Sequence, residues 1–60
     1  MRLFEVKCNT TKENHIALLI NGVYVVSNVE LTKITGVYLK LRDLYKDYKR
    51  VGKRFIMAVD

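Results

Sequence analysis

The chain has no proline and no tryptophan, one cysteine, one histidine and three glycines in 60 residues, and each shortage removes a class of explanation. Without proline there is no polyproline recognition segment and no stiff proline-rich linker. A lone Cys8 permits no internal disulfide, in keeping with a reducing compartment, and its place in an apolar run suits a buried structural thiol. Cys8 and the single His15 together fall short of the three or four ligands that zinc requires. Gly22, Gly36 and Gly52 are too scattered to form a phosphate-cradling loop. The longest unbroken apolar stretch, Ile16 to Ile20, is far below the roughly 18 residues of a membrane span. The N-terminal residues also lack the apolar segment of a signal peptide, so a cytoplasmic protein with no membrane partner is expected. On that expectation Asn9-Thr10-Thr11, which fits a glycosylation acceptor pattern, reads as a polar loop.

Catalytic chemistry is equally thin. General acid-base work needs paired titratable groups in a concave site, and the chain offers no such constellation. Glu5 and Glu30 read as a strand-face charge and a helix cap. The expectation is a non-enzyme with no cofactor, no metal and no small-molecule substrate.

What the sequence does contain is apolar surface. Hydrophobic residues make up 50% and charged residues 28%, the balance of a globular domain, and residues 1–60 form one domain near the lower size limit for independent folding. Ile20-Asn21-Gly22-Val23 is a strong hairpin signal, because both central residues of a two-residue type I′ turn need positive φ. That turn pairs Ile20 with Val23, Leu19 with Tyr24, Leu18 with Val25 and Ala17 with Val26. One face then holds Ile16, Leu18, Ile20, Val23 and Val25, and the other holds Ala17, Leu19, Tyr24 and Val26. Neither face is polar. Phe55, Met57 and Val59 against Ile56 and Ala58 repeat this two-faced pattern, whereas Phe4, Val6 and Cys8 against Leu3, Glu5 and Lys7 come closer to alternation.

Ser27-Asn28-Val29-Glu30 has the form of a capping box, with Val26 and Leu31 as the hydrophobic staple. It predicts a long amphipathic helix over 28–51, with Gly52 at the left-handed terminal position and an apolar arc from Leu31 through Leu41, Leu44 and Tyr48 to Val51. Gly36 and the strand-like period of Val37 to Leu41 run against that helix. The expected architecture is α+β, in the order β-β-β-α-β, with the helix on one face of an antiparallel sheet. A right-handed crossover would lay the last strand parallel to the third, beside it or beyond the first.

The net charge of +5 is concentrated late in the chain. On the expected helix Arg42, Lys46, Lys49 and Arg50 share one flank, continued by Lys53 and Arg54, as a basic patch able to meet phosphates or an acidic protein surface. The same cations also suit the negative end of a helix dipole. Tyr38, Tyr45 and Tyr48 at helical spacing fit base stacking or an interface but read first as core with hydroxyls at its rim, and Leu39 as an isolated outward leucine.

Two functions fit these features. One is a small protein-binding regulator or inhibitor, in size and character like phage and mobile-element products. It would act as a homodimer or on a protein partner with an acidic surface, through Leu19, Tyr24, Val26, Ile56 and Ala58. The other is a dimeric nucleic-acid-binding protein that uses the basic patch.

Overall fold

A computed structural model describes residues 2–52. Its elements are β1 (Arg2–Cys8), β2 (Asn14–Ile20), β3 (Val23–Ser27), β4 (Ile34–Tyr38), α1 (Leu41–Asp47) and β5 (Tyr48–Arg50). The five strands form one antiparallel sheet in the order β4-β3-β2-β1-β5. The α+β class therefore holds, with a short helix in place of the long one.

The β2–β3 hairpin follows from its turn. Asn21 and Gly22 take φ of 50° and 80°, and the register is Ile20 with Val23, Leu19 with Tyr24, Leu18 with Val25 and Ala17 with Val26. Here turn chemistry alone sets which side chains share a face.

The segment expected to be one helix divides into a loop, a strand, a seven-residue helix and a short strand. Asn28, not Ser27, organises its start. The Asn28 Oδ1 accepts the Thr32 N–H at 2.9 Å and the Lys33 N–H at 3.3 Å, while the Ser27 hydroxyl donates to the Asn28 carbonyl. These bonds satisfy the backbone in a loop. Within it Leu31 takes φ of 61°, a conformation no right-handed helix contains. Ile34, Thr35 and Val37 are β-branched, a type that favours strands, and they pair with β3 through a bulge at Val26/Ser27. The Thr35 hydroxyl there donates to the Val26 carbonyl at 3.1 Å.

The strand pairings sort the side chains into two faces. On the inner face Val6, Ala17, Val26 and Tyr48 pack with Leu44 of α1, joined by the partly buried Phe4, Cys8, Tyr24 and Tyr38. Leu44 is the one buried residue of the helix. On the outer face Leu3, Ile16 and Leu18 form a second cluster, against which Leu31 packs. The sheet curls enough for its two edge strands to meet through the Tyr38 and Tyr48 rings, 6.1 Å apart and edge to face.

β5 lies beyond β1 and runs antiparallel to it, Val6 opposite Arg50 and Cys8 opposite Tyr48. The strand expected around Phe55 to Val59 lies outside the described residues. Among the described residues no helix is long and apolar enough to cross a membrane.

Deleting the Leu44 side chain removes the only helical contribution to the inner core, since this residue is 0% exposed. Leu44→Ala is expected to cost about 2–5 kcal/mol, comparable with the whole stability of a domain this small. Arg42→Ala on the exposed side of the same helix should stay within about 0.5 kcal/mol. Urea titrations followed by circular dichroism distinguish this architecture from a long helix, in which Leu44 would be one of several core positions along the arc from Leu31 to Val51.

Candidate functional site

Covering the inner face with α1 leaves part of the outer face bare among the described residues. Strand pairing puts Ile20 beside Val23, and Leu18, Val25 and Val37 in one row across three strands. Leu39, one residue past β4, falls by alternation on the same face next to Val23. Val37 is 60% exposed, Ile34 64% and Leu39 74%, with Ile20 also exposed and Val23 and Val25 partly so. These residues make a continuous apolar strip that ends on β4, an edge strand. β4 itself, Ile-Thr-Gly-Val-Tyr, carries no charged side chain, although edge strands usually rely on charge or proline to prevent pairing. Its flanks do carry charge, with exposed Lys33 just before it and exposed Lys40 two residues after it.

The strip corrects the choice of surface made from sequence. Val26 is fully buried beneath α1 and is not available to a partner, and Leu19 and Tyr24, both partly buried, lie on that same inner face. Because the helix covers this face, the exposed surface is the opposite one. Ile56 and Ala58 lie outside the described residues.

A second feature lies at the other edge of the sheet. A shallow cleft of about 270 Å³ is lined by Asn9, Tyr45, Tyr48, Lys49 and Arg50. Asn9 builds one wall by closing the end of the helix. Its side-chain amide donates to the Lys46 carbonyl at 3.2 Å and its backbone N–H to the Asp47 carbonyl at 2.9 Å, satisfying two carbonyls left over at a helix C-terminus. Its part as a helix anchor was not visible in the Asn9-Thr10-Thr11 pattern.

The basic residues do not form one helical flank. Arg42 and Lys46 are on α1, whereas Lys49 and Arg50 alternate on β5. Arg50 turns inward, with its guanidinium 5.0 Å from the centre of the Phe4 ring. Lys49 turns outward, directly opposite Lys7 of β1. Lys7 was not part of the predicted patch, since only the strand pairing brings it there. Lys53 and Arg54 lie outside the described residues.

The acids nearby are engaged elsewhere. Asp43 pairs with Lys46 at 3.8 Å, Glu5 accepts from the Asn14 amide at 2.9 Å, and Asp47 accepts from the Tyr38 hydroxyl at 2.8 Å. Among the described residues Lys7, Arg42, Lys49 and Arg50 make no ion pair.

Two groups are electrostatically perturbed. Burial, then the hydrogen bond to Asp47 and its negative charge, push the Tyr38 phenol up to about 12. The Cys8 thiol is held below its ordinary value, first by the Thr11 hydroxyl and then by the backbone amides of Thr11 and Thr10. His15 keeps its Nδ1 buried without a hydrogen-bond partner, its ring edge-on to Tyr48 at 5.6 Å. Among the described residues no three His, Cys, Asp or Glu side chains gather as a metal site.

A raised phenol pKa favours the neutral Tyr38 in the folded state. Its contribution to stability is therefore complete below the ordinary tyrosine value of about 10 and declines as pH rises through about 12. Alkaline titration followed by tyrosinate absorbance should show a component near 12. Tyr38→Phe should abolish that component and Asp47→Asn should move it down; a titration unchanged in both variants contradicts the assignment.

No protein-family model, curated protein or solved structure matches this chain.

Proposed function

We propose that this protein acts by binding another protein, through the outer-face strip and the β4 edge, as a non-enzymatic regulator or inhibitor. The observation that carries this reading is the exposure, at least 60% each, of Ile34 and Val37 on an uncharged edge strand and of Leu39 just past its end. Burying side chains of this kind contributes about 1.5–3 kcal/mol each, and an edge strand adds main-chain hydrogen bonds to an incoming strand.

Charge placement decides between a second copy and a different chain. If β4 paired antiparallel with β4 of another copy about its centre, Lys33 of one would approach Lys40 of the other at both ends. Two like-charge contacts, added to a net charge of +5 on each copy, oppose self-association. A partner strand with apolar residues at its centre and carboxylates at its ends meets the same surface with both charges satisfied. This favours as occupant a different protein with an acidic-flanked apolar β-segment over the second copy that the sequence also allows.

Association itself costs several kcal/mol in lost freedom, so a short strand peptide should bind with Kd on the order of 10–100 μM. The test uses a Val/Thr peptide with glutamates at both ends and its lysine-ended counterpart, followed by amide chemical shifts of residues 34–39. The glutamate-ended peptide should bind at least about tenfold more tightly, since tenfold corresponds to only 1.4 kcal/mol. Val37→Lys should abolish binding, and the double change Lys33→Glu, Lys40→Glu should reverse the preference. Equal binding of the two peptides, or shifts confined to other residues, overturns the proposal. So does light scattering that shows a stable dimer in the same concentration range.

A further inference from the structure

The cleft at the β5 edge goes beyond the β4 contact and does not rest on it. Its composition is specific in one respect: an exposed aromatic ring, Tyr45, stands among cations that lack acidic partners. Lys49 and Arg50 line the cleft with Tyr45. Arg42 is on the same short helix, and Lys7 is the cross-strand neighbour of Lys49. Like charges directly opposite on neighbouring strands are destabilising. On its other side Lys7 faces Asn14, which bears no charge, and the carboxylates of Asp43, Asp47 and Glu5 are taken by Lys46, Tyr38 and Asn14. Lys49 and Arg50 therefore line the cleft beside Tyr45, and neither is in an ion pair among the described residues.

Size and shape narrow the ligand. At about 270 Å³ the cleft lies just below the usual range of small-molecule pockets, roughly 300–1,000 Å³, and it is open along the strand edge. It has room for one planar group but cannot enclose a larger free metabolite. Open access along an edge suits a chain that enters at one end and leaves at the other. A planar group stacked on tyrosine, with a negative charge on either side of it, is the repeating unit of a single-stranded nucleic acid. A duplex keeps its bases stacked on each other and offers none to Tyr45.

We infer that the Asn9–Tyr45–Lys49–Arg50 cleft binds one base of a single-stranded nucleic acid, with the flanking phosphates on Lys49 and Arg50. The Arg50 guanidinium is already held over Phe4, which limits the side-chain freedom lost on binding. Tyr45 supplies stacking, which tolerates any base, so affinity should depend weakly on sequence. The cations supply the salt dependence. Two neutralised phosphates on a single strand give a slope near −1.4 in log–log form, or about a sevenfold loss of affinity between 50 and 200 mM salt.

The experiment is fluorescence anisotropy with the full chain and labelled oligo(dT), oligo(U) and duplex DNA of about twelve units. Both single strands should bind, and more tightly than the duplex. Tyr45→Ala should weaken single-strand binding by about 5–150-fold with an unchanged salt slope, and Tyr45→Phe should retain it. Lys49→Ala should reduce the slope by about 0.7. All of these side chains lie at the surface, and unchanged circular dichroism verifies that each variant folds. Absence of single-strand binding at low salt overturns the inference. Duplex bound as tightly as single strands also overturns it, as does a Tyr45→Ala protein that binds like the original, because charge alone would then account for the contact.

Discussion

The fold depends on an imbalance between one helical side chain and two apolar sheet faces. Leu44 is the only residue of α1 that is fully withdrawn from water, and it seals the inner face over Val6, Ala17 and Val26. A seven-residue helix cannot cover more, and at that length it is not stable without tertiary contacts. Its position is fixed from outside by Asn9 on the carbonyls of its last turn and by Tyr38 on Asp47. Helix and sheet therefore stabilise each other, and the outer face is left to other means. Leu31, held in a left-handed conformation by the Asn28 loop, covers the half formed by Leu3, Ile16 and Leu18. The half formed by Ile20, Val23, Val25 and Val37 has no equivalent cover among the described residues.

Much of this could be read from the residues wherever local chemistry was decisive. Asn21-Gly22 determines its own turn, and with the turn come the register and the two apolar faces. The surplus of apolar surface was legible for the same reason. Its location was not, because the face that the helix covers is decided by tertiary packing. Strand alternation makes the two faces equivalent until Leu44 occupies one of them.

The long helix misled through its first residues. Ser27 and Glu30 have the spacing of a capping box, but the Asn28 side chain instead accepts the Thr32 and Lys33 N–H groups and closes a loop. Beyond it Ile34 to Val37 combine β-branching with a glycine, and the pairing available on β3 outweighs any helical period. Arg42 to Asp47 did become helical, as good helix formers would suggest. The basic stripe was a consequence of assuming that the helix continued. Once Lys49 and Arg50 alternate on a strand they separate, and Lys7, distant in sequence, becomes the neighbour of Lys49. Only the topology could reveal that pairing or the part played by Asn9.

The two proposed contacts occupy the two edges of one sheet, and the physics of edges explains why. Among the described residues, an interior strand has its backbone satisfied on both sides, whereas β4 and β5 each retain one row of unpaired donors and acceptors. The edges differ in what surrounds that row. Around β4 the side chains are apolar and the charges stand off at Lys33 and Lys40, so water is readily displaced and a β-segment can dock. At β5 the side chains are Lys49 and Arg50 with Lys7 adjacent, so a second strand would meet repulsion unless it were strongly acidic, while phosphates would be attracted. Marginal stability couples either contact to the fold: a ligand that binds only the native chain stabilises it by mass action. For a domain of this size, that shift is a large fraction of the total.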